Sequence, residues 1–295
     1  MFAAALMDTV CVIDDWNGLE IHEWGVLTVA DEYMVDAIPG ETDGPLLIDV
    51  PNLDDRAPVV YFYGAEFTDG EFSVSLPSGV FTASYPQPDA ISPDGSTITW
   101  RIRSASNLGI EEIPPQSLPE QLSTTAWSMN EWRNGQANVL EFENGSMDRF
   151  LFYECSIPLT SSFYPFTDTG HLDESFDGQV IELSYSAVTT SVPEMTVFSY
   201  GDSDQELSEP EPYDFDRVLS TLCTWSAGEM KSEEINDLWV TWQDHALDLI
   251  DDGGTLLIFR IPAESVERIS TISFSAEGWD LLTIRRFYLG MAVVD

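Results

Sequence analysis

The sequence predicts a mainly β protein: an antiparallel, sandwich-like body with a smaller C-terminal α+β region. Three observations carry this. Short runs of alternating or continuous apolar residues recur along the first 200 positions, separated by turn residues. Convincing helical periodicity is confined to the segment after Tyr200. Hydrophobic residues make up 43% of the chain and aromatics 12%, the content of a packed globule, where a disordered acidic chain is poor in aromatics.

Residues 19–29 (LEIHEWGVLTV) alternate and then become β-branched, which predicts a strand. The stretch 36–57 carries Pro39, Gly40, Gly44, Pro45 and Pro51 and reads as a long loop around one short strand at 46–50. Residues 58–63 (PVVYFY) are continuously apolar, the pattern of a strand buried on both faces. Strands at 71–76 and 80–85 flank Pro77-Ser78-Gly79, which supplies turn chemistry. Another strand follows at 96–103, where Ile98, Trp100 and Ile102 alternate, and the Pro-rich 113–119 is a loop or edge. Asn138–Phe142 and Arg149–Tyr153 flank a hairpin signal at Asn144-Gly145. Strands at 179–188 and 194–200 complete the set.

Gly201–Pro212 is acidic and Pro-bearing and reads as a linker. Residues 214–224 then place Val218, Leu219 and Leu222 at helical spacing. Ser232 is the expected N-cap of a second helix with Ile235, Leu238, Trp239, Trp242, Ala246 and Leu249 on one face, ended by Asp251-Asp252-Gly253-Gly254. Strands at 255–261, 269–275 (after a short helical turn) and 281–294 close the chain. The expected organisation is an N-terminal extension at 1–17, a β-rich domain at 18–200 and an α+β region at 201–295 that can share the same core.

Charge is the most unusual property: 52 Asp and Glu face 11 Lys and Arg, a formal net charge of −41. Residues 1–150 hold 25 acids and 5 bases, and residues 151–295 hold 27 and 6, so no acidic tail accounts for it. Lys231 is the only lysine. Such even acidity fits a surface kept hydrated in concentrated salt, where a Debye length of roughly 3 Å at 1 M screens self-repulsion. The rival reading is an acidic charge mimic of DNA acting on a basic partner. Direct nucleic-acid binding is excluded by the lack of a basic stripe to neutralise phosphates.

Cys11, Cys155 and Cys223 allow at most one bridge, so no disulfide framework is expected. The apolar start, Met1 to Met7, is followed at once by Asp8 and has no basic residue before it, unlike a signal peptide. As written, the chain is expected to be cytoplasmic; an incomplete start would permit export. No apolar run reaches 18 residues, so no membrane insertion is expected.

Several blocks in order and spacing carry a family resemblance: Ile21-His22-Glu23-Trp24-Gly25, Ala57 to Tyr63, Leu76-Pro77-Ser78-Gly79 with Tyr85-Pro86, Arg149 to Tyr153, Thr241-Trp242-Gln243-Asp244, and Gly254 to Pro262. Together they resemble a family of mostly exported bacterial proteins that open on a HEWG block and carry no assigned activity. The resemblance spans most of the chain. It departs at Glu154-Cys155, where the family tends to have Arg-Gly, and at His245-Ala246-Leu247, where a second Trp is usual. It implies a real fold and transfers no site residues.

His22-Glu23 is the first chemical candidate, since an imidazole beside a carboxylate can ligate a metal or relay a proton. Adjacent strand residues point to opposite faces, and Val26 stands where an HExxH motif needs its second His, so a structural role is the competing reading. Asp168-Thr169-Gly170 matches the aspartic-protease tripeptide but lacks a second copy and is ordinary turn chemistry. Asp202, Asp204 and Glu206 alternate as calcium ligands do, without the Gly and distal Glu of an EF-hand. His245 and the Trp239–Trp242 pair read as core. Asn144-Gly145-Ser146 is both a glycosylation sequon and a turn.

There is no GxSxG elbow, no phosphate-cradling GxxxxGK[ST] and no GxGxxG. The expected function is therefore a non-enzymatic β-rich protein that binds a protein or glycan. The alternatives are a carboxylate- or metal-dependent hydrolase, with His22 and Glu23 as its candidates, and the charge mimic. No cofactor is expected apart from calcium at the 202–206 acids.

Overall fold

The computed structural model describes residues 18–30, 33–35, 46–48, 52–105, 128–159, 163–185, 192–201, 209–251, 253–277 and 282–294. Among them strand clearly outweighs helix, and the sheets do not close into a barrel. The expected extension at 1–17, Cys11, the Pro-rich 113–119 and the calcium candidates Asp202, Asp204 and Glu206 lie outside the described residues.

In chain order, the strands of the first half are β1 (Leu19–Ala30), β2 (Tyr33–Val35), β3 (Leu46–Ile48), β4 (Asn52–Gly64), β5 (Gly70–Ser75), β6 (Val80–Tyr85), β7 (Ala90–Ile91) and β8 (Thr97–Ala105). Helix α1 (Ser128–Trp132) precedes β9 (Val139–Phe142), β10 (Met147–Asp148), β11 (Phe150–Pro158), β12 (Gln179–Tyr185), β13 (Pro193–Ser199) and β14 (Glu211–Pro212). Helices α2 (Phe215–Ser226) and α3 (Ser232–Asp248), strand β15 (Thr255–Arg260), helix α4 (Ala263–Ile269), β16 (Thr271–Ser275) and β17 (Leu282–Val294) complete the chain.

These form a nine-stranded sheet in the order β14-β13-β12-β15-β17-β1-β4-β11-β6 and a six-stranded sheet β10-β9-β8-β5-β16, with β7 on β8. The two sheets pack face to face. Val60, Phe62 and Tyr153 of the larger sheet share a core with Phe72, Val74, Trp100 and Ile102 of the smaller one. The other face of the larger sheet is covered by α1, α2 and α3. There Trp24, Tyr61 and Phe152 pack with Trp132, Val218, Leu238 and Trp239. The order is helices, large sheet, small sheet. Burial on both faces explains the continuous apolar run at 58–63: Val59, Tyr61 and Tyr63 face the helices while Val60 and Phe62 face the second sheet.

Two details differ from the sequence expectation, the direction of the last strand and the cap of α3, whereas a core shared by 18–200 and 201–295 is one of the arrangements allowed. The last strand, β17, lies parallel to β1 in the middle of the larger sheet, in a sheet otherwise antiparallel. Segments 18–200 and 201–295 thus feed one sheet and both cores. Ser232 is also the first helical residue of α3 and not its cap: Lys231 holds that position, and its backbone N–H donates to Glu234 at 2.7 Å. Helix α2 is capped as the composition of its start suggests, with the Asp214 side chain accepting from the Arg217 N–H at 3.0 Å.

Two sequence signals resolve as turns. Gly145 adopts φ +79° between β9 and β10, and Asn144 accepts from the Ser146 N–H at 2.8 Å. Asp168-Thr169-Gly170 is a surface turn closed by Thr167 N–H to His171 carbonyl at 2.8 Å, with Gly170 at φ +82°.

Candidate functional site

Strand β1 lies between β17 and β4, in a register that sets His22 opposite Arg285 and Glu23 opposite Arg286. Strand alternation sends the two residues of the HEWG block to opposite faces. His22 joins the helix-covered side and Glu23 the space between the sheets.

On the helix side, His22 is fully buried. Its Nδ1 lies 2.8 Å from Glu234 Oε2, in the first turn of α3, and its Nε2 lies 3.2 Å from Glu20 Oε2. Glu20 also accepts from Arg285 Nη2 at 3.0 Å. Ionised carboxylates only accept, so both bonds form when the imidazole donates from each nitrogen. The Tyr63 ring stands 4.8 Å from the imidazole, and Lys231 Nζ sits over that ring, 3.7 Å from its centroid, as a cation–π contact. Burial, and then the Glu234 carboxylate, push the Tyr63 hydroxyl well above the usual phenol range.

Between the sheets, Glu23 is also fully buried. Tyr153 donates its hydroxyl to Oε1 at 2.6 Å and Arg286 Nε donates to Oε2 at 2.5 Å. Arg286 spends its other donors on the Ser270 carbonyl at 2.7 Å, Ser270 Oγ at 2.6 Å and Glu267 at 3.2 Å. Burial, the largest single influence, opposes the guanidinium charge, but Glu23, Tyr288 and Tyr153 together outweigh it, so the Arg286 pKa is raised above its ordinary value.

A third ionic group joins α1 to the strands beside it. Asp148, fully buried, accepts from Arg133 Nη2 at 2.7 Å and from the Tyr85 hydroxyl at 2.8 Å. In all three groups charged side chains join segments apart in sequence, and each carboxylate has a charged or polar partner, although in the first Glu234 engages only through Oε2. The missed partners are Glu20, Glu234, Arg285, Arg286, Tyr153 and Ser270. Two signals pointed to some of them: Glu20 is two residues from His22 and so shares its face, and Arg285-Arg286 is a cationic doublet inside a strand of an Arg-poor chain.

His245 lies half-buried in the last turn of α3, with its ring 5.5 Å from Trp242. Trp239 and Trp242 are both core. Among the described residues no His, Cys, Asp and Glu side chains gather as a group that could hold a metal ion, and no helix is long and apolar enough to cross a membrane.

Open concave surface lies elsewhere. A depression of about 520 Å³ on the smaller sheet is lined by Arg101, Arg103, Glu71, Glu141 and Glu143. These are solvated partners, with Arg101 and Glu143 3.4 Å apart, and such exposed pairs stabilise little. A smaller depression of about 290 Å³ is lined by Tyr164, Phe176, Asp177, Gln179, Trp225 and Arg260. No protein-family model matches the chain, and no curated protein matches it.

Proposed function

We propose that this chain is a non-enzymatic binding protein with a surface adapted to salt. The observation that carries the reading is the closure of the His22 and Glu23 clusters. Each side chain is fully buried, on opposite faces of one strand, with both of its polar atoms engaged by protein partners. A general base has to reach the proton it abstracts, and here the sheets and helices stand in the way. These clusters act as joints: the first ties α3 to the larger sheet, the second ties β1 to β17, β11 and the turn after α4. The open, aromatic-lined surface at Tyr164 and Trp225 supports binding of a glycan or protein segment. The acidic coat, spread over both halves of the chain, supports hydration in concentrated salt.

The test pairs a hydrolase panel with a binding panel. Wild type and the His22→Gln and Glu23→Gln variants are assayed on chromogenic esters, phosphates and glycosides, and wild type is screened by thermal shift against glycans, peptides and divalent metals. The reading predicts no turnover and stabilisation by a glycan or peptide. Turnover that either variant abolishes while keeping its far-UV circular dichroism spectrum favours the hydrolase alternative and overturns the reading.

A further inference from the structure

The smaller depression is built from parts of the chain that no sequence motif brought together. Trp225 comes from the end of α2, Gln179 from the start of β12, Arg260 from the end of β15, and Tyr164, Phe176 and Asp177 from the segment leading into β12. Its floor is fixed. Trp225 Nε1 donates to Gln179 Oε1 at 2.9 Å, and Arg260 Nη1 donates to the Trp225 carbonyl at 2.5 Å. Arg260 Nη2 is paired with Glu229, and Phe176 packs on Phe259 with ring centroids 5.4 Å apart. The aromatic residues are buried or half-buried, whereas Asp177 and Gln179 are exposed at the rim.

We infer that this depression binds one neutral pyranose ring, as a monosaccharide or as the terminal residue of a glycan. Three features select that chemistry. Tyr164, Phe176 and Trp225 with Pro262 make an apolar wall, and a pyranose offers an apolar face of C–H groups to such surfaces. The rim carries the Asp177 carboxylate as acceptor and the Gln179 amide and unspent Arg260 N–H groups as donors, which match hydroxyls that donate and accept. Charge bears on the rest: Arg260 is paired with Glu229, and the Asp177 carboxylate together with a net charge of −41 disfavours anions, while a rim that both donates and accepts favours a polyhydroxylated ligand over a simple cation. The volume, at the low end of the roughly 300–1,000 Å³ of small-molecule pockets, takes a single ring.

This inference rests on the binding reading and gives it a ligand class. At about −0.3 kcal/mol per non-hydrogen atom, the 12 or so heavy atoms of a hexose correspond to a Kd of order 1 mM. Saturation-transfer difference NMR on the folded chain in molar salt, with a panel of neutral hexoses and pentoses, reads this range. At least one sugar is expected to give a saturable signal, weakened about 5–10-fold by Tyr164→Ala and by Gln179→Ala. Both substitutions lie at the partly exposed rim, and circular dichroism verifies the fold of each variant. No saturable signal from any neutral sugar overturns the inference, as does binding left unchanged in the double variant, or a preference for a uronate or a tetraalkylammonium ion. Failure here with stabilisation by a peptide in the broader screen would leave the binding reading standing.

Discussion

Replacing Glu23 by Gln removes one charge from the joint between the sheets and keeps its shape. The carboxylate is fully buried and holds both the Tyr153 hydroxyl and Arg286 Nε. With Gln in its place, Arg286 keeps only the Glu267 carboxylate, which is 57% exposed and 3.2 Å away. Breaking a buried pair by removing one partner costs about 3–5 kcal/mol, and the isosteric change points to about 3 kcal/mol. At roughly 2–4 °C per kcal/mol for a chain near this size, the midpoint falls by about 6–12 °C. Glu267→Gln is the internal control, because loss of an exposed partner costs about 1 kcal/mol or less. Urea denaturation followed by circular dichroism at one fixed salt concentration measures both. Variants equal within about 0.5 kcal/mol would refute the assignment of Glu23 as a structural anchor.

Asp237 sits in α3 at 9% exposure with its pKa raised to about 7, chiefly by burial and then by Glu233, Glu131 and Glu234 against an opposing Asn236 hydrogen bond. The folded state therefore holds this proton more tightly than the unfolded chain, whose carboxyl titrates near pH 4. The cost of Asp237 is absent below about pH 4, grows up to about pH 7 and is complete above it. Asp237→Asn is expected to raise stability by about 2 kcal/mol at pH 8 and to change little at pH 4, as measured by denaturation at the two pH values. Gly79 turns the chain at φ +99°, where a Cβ would lie 2.3 Å from the Ser156 carbonyl oxygen. Gly79→Ala is therefore expected to cost more than about 2 kcal/mol in the same assay, and a neutral result would contradict this turn geometry. The acidic coat predicts a thermal midpoint that climbs between about 0.05 M and 2 M potassium chloride, and equal midpoints would remove the salt adaptation.

Much of the fold was legible because strand burial writes itself into local alternation. Ile98, Trp100 and Ile102 alternate and do line the core between the sheets, and the α3 residues Ile235, Leu238 and Trp239 do share a buried face. Elements of two to five residues, such as β7, β10, β14 and α1, are too short to show a period. Which strands pair is not a local property: β17 docks beside β1 from the far end of the chain, and nothing in either strand names its neighbour. The same limit hid the clusters. The imidazole of His22 finds Glu234 across 212 positions, and Glu23 finds Arg286 across 263. Glu20 was within reach of sequence reasoning, because strand periodicity places residues i and i+2 on one face, and the Arg285-Arg286 doublet marked two cations without naming their partners.

Chemical accessibility of the three histidines tests the closure of the β1 clusters most directly. His171 is exposed, His245 is half-buried and His22 is fully buried. Brief treatment of the native protein with diethyl pyrocarbonate, followed by peptide mass spectrometry, should mark His171 first, His245 more slowly and His22 only after denaturation. Modification of His22 at a rate close to that of His171 would mean that the imidazole opens to solvent, and the structural account of the HEWG block would be wrong.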